Sequence, residues 1–284
     1  MEIILNSKFF AELSPAQLGE KMKSFGYDGV DVCVRPGHPV HFGNLTTALP
    51  EAVAVWRDQG VSCPMVSAPV DFTEPHAADA ESLYAASAAA GVPMIKIGYW
   101  RFVDGDDYWQ VLERARNQLK DFAMLGEKHG VKTCCHMHSG QCIGSNCAGL
   151  MHLIQGFDPL WVGAYADFGH MALDGEDIAM GLAMIRDYLC VVGMKDGFQA
   201  PRPPGQEPPY GPKFGQLGAG SVDWRRALQT LAAMNFDGPM CVHTEYEFDE
   251  AIIREVGYAD QKPPDLETIP KEDAAYLRRL LAQL

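Results

Sequence analysis

Short apolar runs alternate with helix-length segments along the chain, and this alternation predicts repeated strand–helix units. The runs contain few polar positions, as expected for parallel strands that are buried on both faces. We predict eight strands, at residues 2–6, 28–33, 61–67, 92–98, 132–138, 161–167, 189–196 and 239–245.

The intervening segments carry signals for the beginnings and ends of helices. Ser14 and Pro15 provide a capping residue and a proline in the first turn. Gly91 and Gly130 each follow a predicted last helical residue, where glycine suits the left-handed conformation. We predict helices at residues 14–25, 46–59, 74–90, 108–129, 147–155, 176–188, 222–234, 249–256 and 271–283.

Strand–helix units of this kind, joined by right-handed crossovers, predict an α/β fold in which the strands close into a (β/α)8 barrel. The alternative is an open doubly wound sheet, but no GxGxxG follows the first strand, so we expect no nucleotide cofactor. No linker divides residues 1–284, which predicts a single domain. The Pro-rich segment 197–220 is predicted to be a long loop over the C-terminal ends of the strands, with the role of a lid.

Composition disfavours several classes of function and predicts the cellular compartment. The 284 residues are 47% hydrophobic, which is ample for a continuous core, and no run of about 18 apolar residues predicts a membrane span. The net charge of −14 disfavours a protein that binds nucleic acid or an anionic membrane. The sequence has no basic leader before the first strand and no CxxC motif, so we expect a cytoplasmic protein with reduced thiols.

Imidazoles and carboxylates stand at the C-terminal ends of three predicted strands, the fifth, sixth and eighth. They are His136, His138, Asp167, His170, His243 and Glu245. Active sites of barrels lie at this end of the strands. A lone core histidine is more often a hydrogen-bonded structural group, but several at adjacent strand ends favour a functional site. Imidazole with carboxylate suits Mn²⁺, Co²⁺, Zn²⁺ or Fe²⁺, whereas a shell of oxygens suits Mg²⁺.

Four segments carry a resemblance to a known superfamily. They are GYDGVDVCVRPGHPV around the second strand, DFGHMALDG after the sixth, LGAGSVDW before a helix, and GPMCVHTEYE at the eighth strand. In these segments the chain resembles the xylose-isomerase-like TIM barrels, a superfamily of sugar phosphate isomerases and epimerases that includes endonuclease IV. Dimers and tetramers are common there, so a homodimer or homotetramer is possible.

The resemblance implies one divalent metal, held by a Glu, an Asp, a His and a Glu from strands five to eight. Asp167 matches the Asp, and His170 matches a nearby histidine on the substrate side. Glu245 matches the last Glu, or His243 does so after a shift of two residues. The other two positions depart from the pattern, since His136 stands for the first Glu and Gly193 for the His.

Two interpretations of these departures stay open. In the first, a metal is held by a rearranged set, with His138 or His136 joining the residues that match. That set is His138, Asp167, His170 and Glu245. In the second, Lys195 replaces the charge of the metal, because it shares a strand face with Gly193 and points inward. Lys195 as a simple neutraliser of buried carboxylates is the remaining alternative.

The chemistry implied by the resemblance is proton abstraction next to a carbonyl, through an enediolate. The catalytic candidates are Glu245, Asp167, His170 and Lys195. The candidates for binding the substrate are Arg35, Lys96, Trp100, His136, Asp196 and His243. Arg35 could reach a carboxylate or phosphate of the substrate, or could pair with Asp31.

The leading hypothesis is therefore an isomerase or epimerase of a sugar or polyol, and an unphosphorylated or acidic sugar is favoured because no phosphate cradle is evident. A metal-assisted lyase or hydrolase acting on a glycoside or cyclitol would use the same carboxylates. A catalytically silent barrel that binds carbohydrate is a third hypothesis, which the replacement at Gly193 supports. An endonuclease is the poorest fit, because the net charge of −14 opposes DNA binding.

Overall fold

A closed barrel of eight parallel strands forms the centre of the protein in a computed structural model, which describes residues 1–246 and 265–284. Consecutive barrel strands are neighbours, and the last strand closes the barrel by pairing with the first. The barrel strands are β1 (Glu2–Asn6), β2 (Gly29–Cys33), β3 (Ser62–Ser67), β4 (Met94–Lys96), β5 (Lys132–His136), β6 (Val162–Asp167), β7 (Leu189–Met194) and β10 (Pro239–Val242). The predicted (β/α)8 architecture is confirmed.

Helices surround the barrel, and several of their ends follow the sequence signals. Ser14 forms a capping box with Gln17, and Gly91 and Gly130 take the left-handed conformation after α3 and α4. The helices are α1 (Pro15–Phe25), α2 (Leu45–Asp58), α3 (Ala78–Ala90), α4 (Tyr108–His129), α5 (Cys147–Ile154), α6 (Phe168–Leu173), α7 (Ile178–Ile185), α8 (Trp224–Ala233) and α9 (Ile269–Leu281). The helix predicted at 249–256 lies outside the described residues.

Apolar side chains pack on both faces of the barrel strands, as the continuous apolar runs predict. All residues of β2 and of β6 are buried. Inside the barrel, Ile4, Met65, Tyr165 and Val191 pack in one cluster, and a larger cluster joins the outer strand faces to the helices. Within the described part of the chain, we find no helix that combines the length and the apolar character needed to span a bilayer.

The prediction of a long loop at 197–220 is wrong. Residues in this segment form an antiparallel hairpin of β8 (Asp196–Pro201) and β9 (Tyr210–Gly215), paired in register from Asp196 opposite Gly215 to Pro201 opposite Tyr210. Both strands of a two-stranded ribbon are edge strands, which tolerate proline at positions where the backbone nitrogen faces solvent. The prolines that indicated a loop are therefore compatible with this hairpin.

Several barrel strands end earlier than predicted. β5 ends at His136 instead of residue 138, β7 at Met194 instead of 196, and β10 at Val242 instead of 245. The polar residues at the C-terminal end therefore lie partly in the last strand positions and partly in the first loop residues. This arrangement lets side chains from neighbouring strands turn towards a common cavity.

Candidate active site

A cavity of about 400 Å³ opens at the C-terminal ends of the barrel strands. Its volume lies in the usual range for small-molecule sites. It brings together most of the site residues predicted from the sequence: Arg35, Lys96, His136, His138, His170, Lys195, His243 and Glu245. The other lining residues include Lys8, Tyr99, Ser139 and Tyr165, which the sequence reasoning missed.

Asp167 and His136 form the buried base of the site. Asp167 is the last residue of β6 and has no exposed surface. Its Oδ2 lies 3.2 Å from Nε2 of His136, and its Oδ1 accepts a hydrogen bond from the backbone N–H of His170 at 3.1 Å. The hydroxyl of Tyr99 lies 2.9 Å from Nδ1 of His136, so both nitrogens of this ring have partners.

His170 completes a cluster with these two residues. Its Nδ1 lies 2.9 Å from the hydroxyl oxygen of Ser139, whereas its Nε2 is buried without a hydrogen-bond partner among the described residues. One nitrogen from each of His136 and His170 and one oxygen of Asp167 all lie within 4.8 Å of one another. These three residues, which we call the imidazole side of the cavity, could hold a metal ion.

Burial keeps the histidines of the cavity neutral. It lowers the pKa of His136 and His170 well below the ordinary value, and lowers that of His138 and His243 to about 3. A neutral imidazole has a nitrogen lone pair that can bind a metal or accept a proton. The protonation state of these rings therefore suits metal ligation at neutral pH.

The donor set of the imidazole side fits a divalent metal. Two imidazoles and one carboxylate are ligands typical of Mn²⁺, Fe²⁺, Co²⁺ and Zn²⁺ sites. The hydroxyls of Tyr99 and Ser139 fix the orientation of the two rings, as groups behind metal ligands commonly do. A metal would also provide a partner for the buried Nε2 of His170, which is otherwise costly to leave without one.

This cluster differs from the predicted set of metal ligands, which included His138 and Glu245. His136 takes the place of His138, whose ring stacks on His170 with 4.1 Å between the centroids. Glu245 is outside the cluster because Lys8 donates a hydrogen bond to its Oε1 and Lys195 forms an ion pair with its Oε2. Lys195 pairs with Glu245, and a set of residues that could hold a metal lies in the same site, so the structure contains features of both interpretations of the sequence.

Lys8 and Lys195 determine the charge state of Glu245. Burial alone would raise the pKa of this carboxyl group, but the charges of Lys195 and Lys8 outweigh burial and hold the pKa well below its usual range. Glu245 is therefore ionised at neutral pH. Lys195 is itself held in place, because its ammonium lies 3.6 Å from the ring centroid of Phe214 in the hairpin.

Gly193 makes room for this arrangement. A Cβ atom at Gly193 would lie 2.6 Å from Oδ2 of Asp167, so the carboxylate fills the space that a side chain there would need. A Cβ at Gly169 would lie 3.0 Å from Cβ and Cγ of Lys195. The absence of side chains at these two positions allows Asp167 and Lys195 to enter the site.

Arg35 and Lys96, which we call the cationic side, line the cavity near the ends of β2 and β4. Lys96 is 4% exposed, and its ammonium lies 4.2 Å from the ring centroid of Tyr99. Burial and the nearby charge of Arg35 lower the pKa of Lys96 to about 7. Asp31 accepts hydrogen bonds from Asn6 and Ser67 and forms no ion pair with Arg35, so that alternative from the sequence is not found.

Two predicted substrate contacts do not line the cavity. Trp100 is buried in the hydrophobic core and donates a hydrogen bond from Nε1 to Oε1 of Gln118 at 2.7 Å. Asp196 is fully buried and accepts hydrogen bonds from Nε1 of Trp224 and from the backbone N–H of Gly218, both at 2.8 Å. Both side chains therefore stabilise the structure behind the cavity.

Solved structures share this fold at low sequence identity. One is 3-keto-D-glucoside 4-epimerase, YcjR, from E. coli (TM-score 0.69, 15% identity, 98% of this chain and 99% of that one). Another is D-psicose 3-epimerase from Clostridium cellulolyticum H10, solved with D-tagatose (TM-score 0.70, 14% identity, 99% of each chain). A third is a xylose isomerase domain protein from Alicyclobacillus acidocaldarius (TM-score 0.72, 15% identity, 99% and 98%). At these identities the likeness shows the fold alone.

Sequence comparison gives the family directly. Among curated proteins, none matches this sequence significantly. The family model described as xylose isomerase-like TIM barrel matches residues 20–280, which is nearly the whole chain. The protein therefore belongs to the xylose isomerase-like TIM-barrel family.

Proposed function

We propose that this protein is an isomerase or epimerase of a sugar or polyol, acting by proton transfer next to a carbonyl through an enediolate. The observation that carries the proposal is the meeting, in one cavity, of an ionised carboxylate held by two lysines and a cluster of two neutral histidines with an aspartate. The structural likeness to sugar epimerases supports the same class of reaction.

The imidazole side would hold a divalent metal through His136, Asp167 and His170. When bound, such a metal supplies an electrophile that polarises oxygens of the substrate. Two nitrogen donors favour Mn²⁺, Co²⁺ or Zn²⁺ over Mg²⁺, which prefers oxygen ligands.

Lys195 and Glu245 would carry the proton transfer. Lys195 would donate a hydrogen bond to the substrate oxygen on which negative charge develops. Glu245 would accept the proton from the adjacent carbon. When Lys195 turns to the substrate, Glu245 loses one of its two lysine partners among the described residues and regains part of its basicity.

Protonated Glu245 would return its proton to carbon, and His138 is the proposed shuttle that takes the proton from one oxygen of the enediol and gives it to the other. Nδ1 of His138 lies 2.9 Å from the backbone oxygen of Ser139, which accepts a hydrogen bond and so assigns the ring proton to Nδ1. The other ring nitrogen, Nε2, then has a lone pair that can take up a proton and release it. The ring lines the cavity beside His170.

Exchange of substrate hydrogen with solvent tests this function. The purified protein is incubated in D2O with a panel of ketoses, aldoses, polyols and sugar acids, after loading with Mn²⁺, Co²⁺ or Zn²⁺ and after chelation. We expect deuterium at the carbon next to the carbonyl of one sugar and formation of its stereoisomer. Release of water or an alcohol would indicate a lyase or hydrolase instead, and binding without exchange would indicate a silent barrel.

A further inference from the structure

We propose that the substrate is an acidic sugar, whose carboxylate binds Arg35 and Lys96 on the cationic side of the cavity. This inference rests on the proposed function of the same cavity and specifies the substrate class. The cationic side lies near the ends of β2 and β4, whereas the imidazole side is built from β5 and β6. The two sides therefore contact different parts of one ligand.

Within residues 1–246 and 265–284, Arg35 and Lys96 form no ion pair, and the nearest buried carboxylate, that of Asp31, acts on Lys96 only from a distance. Lys96 is 4% exposed, and its ammonium makes an aromatic contact with Tyr99 but no ion pair in this part of the chain. Arg35 also has no ion pair there, and its Nε is buried without a hydrogen-bond partner. A buried charge without a partner is costly, so the two side chains are arranged as they would be for a ligand that provides one.

The charge balance of the whole cavity points the same way. Among the described residues, its lining contains Lys8, Arg35, Lys96, Arg101 and Lys195 and the carboxylate of Glu245, and Asp167 adds a second carboxylate, buried behind the histidines. Lys8 and Lys195 both pair with Glu245. The remaining positive charge is local, because the protein as a whole has a net charge of −14. An anion bound between Arg35 and Lys96 would offset the repulsion between them.

Tyr99 contacts both sides of the cavity. Its hydroxyl lies 2.9 Å from Nδ1 of His136, and its ring centroid lies 4.2 Å from the ammonium of Lys96. Lys96 and His136 thus contact the same aromatic ring, one at its face and the other at its hydroxyl. A single small sugar acid is long enough to place its carboxylate on one side and its reacting carbon on the other.

The donors of the cationic side suit a carboxylate, and the described chain after β7 does not form the phosphate loop that such barrels commonly use. Phosphate sites of such barrels are commonly formed by the loops after strands seven and eight with a helix N-terminus. Here the chain after β7 forms the hairpin, and Phe214 of that hairpin packs over Lys195. The planar guanidinium of Arg35 presents paired donors that match the two oxygens of a carboxylate.

Binding measurements test the proposal without requiring turnover. Isothermal titration calorimetry at fixed ionic strength would compare D-glucuronate, D-galacturonate and D-fructuronate with the corresponding neutral hexoses and hexose 6-phosphates. We expect at least one hexuronate to bind about tenfold more tightly than both its neutral and its phosphorylated counterpart. Arg35→Gln and Lys96→Met should each remove the preference, whereas Arg35→Lys should keep part of it. Arg114→Gln, on the exposed face of α4, is the matched control.

The outcomes separate this inference from the proposed function. Equal binding of acids and neutral sugars, tighter binding of phosphates, or a preference that survives in Arg35→Gln would overturn the carboxylate site. Exchange in D2O on neutral sugars alone would overturn it as well, while leaving the isomerase proposal intact. A hexuronate that binds tightly but never exchanges hydrogen would support the carboxylate site and count against the isomerase.

Discussion

The two sides of the cavity differ in how their polar groups are satisfied. On the imidazole side, Asp167 and His136 bind each other, and Tyr99 and Ser139 orient the two rings. On the cationic side, Arg35 and Lys96 have no ion pair among the described residues. This difference is the basis for proposing two kinds of ligand, a metal cation at the imidazole side and an anionic group of the substrate at the cationic side.

Lys195→Met should have the largest effect on activity, because Lys195 pairs with Glu245, the proposed proton acceptor. The substitution keeps the length of the side chain and removes the donor to the developing charge. Loss of one such donor lowers a rate by about 10²–10³-fold. We expect a decrease of this size in the rate of hydrogen exchange at saturating substrate. An unchanged rate in a variant with normal circular dichroism would remove Lys195 from the mechanism.

His170→Ala breaks the imidazole side alone. It removes one of the three donors and should weaken binding of Co²⁺ by about 100-fold or more, beyond what loss of an outer group costs. His138→Ala is the matched control, since His138 stacks on His170 without belonging to the cluster. Equal loss of Co²⁺ affinity in both variants, measured by titration of the visible spectrum, would contradict the assigned ligands.

Tyr99→Phe distinguishes the two sides of the cavity, because Tyr99 contacts His136 through its hydroxyl and Lys96 through its ring. The variant loses the hydroxyl that orients His136 but keeps the ring beside Lys96. Affinity for the metal should fall by about tenfold, as for other outer-shell partners. Affinity for a hexuronate should stay within about twofold. A larger loss for the hexuronate than for the metal would show that the hydroxyl serves the cationic side.

The pH dependence of binding should show the smallest effect. The pKa of Lys96 is lowered to about 7 by burial and by Arg35, so its ammonium loses its proton as the pH rises through neutrality. Affinity for a hexuronate should therefore fall by about fivefold between pH 6 and pH 8, with Arg35 retaining its charge throughout. The same titration with Lys96→Met should be flat. An affinity for the hexuronate that rises with pH would contradict the expected loss of charge at Lys96.

Strand alternation explains how much of the site could be predicted from the sequence. Alternate residues of a strand share a face, so His136 points into the barrel as Cys134 does. Lys195 follows Gly193 by two residues and points inward for the same reason. Lys8 was missed because it is far from Glu245 in the sequence. The two meet only because β1 and β10 are paired where the barrel closes. Because closure of the barrel was predicted, the polar residues just after the first strand could have been included among the candidate site residues.

The errors arise where local signals compete with tertiary structure. Trp100 follows one predicted strand and Asp196 is the last residue of another, but these strands end earlier than the apolar pattern suggests, at Lys96 and Met194. Each side chain then turns to a partner from a neighbouring helix or its cap, Gln118 or Trp224. The prolines of segment 197–220 indicated a loop because proline signals alone do not distinguish a loop from an isolated ribbon.

The most direct measurement is deuterium incorporation by the wild-type protein and by Glu245→Gln, with a hexuronate that calorimetry shows to bind both. The account predicts deuterium next to the carbonyl with the wild-type protein, and a rate lower by about 10²-fold or more with the variant, because the proton acceptor is lost. Equal incorporation by both proteins, or none by the metal-loaded wild-type protein at saturating hexuronate, would contradict it.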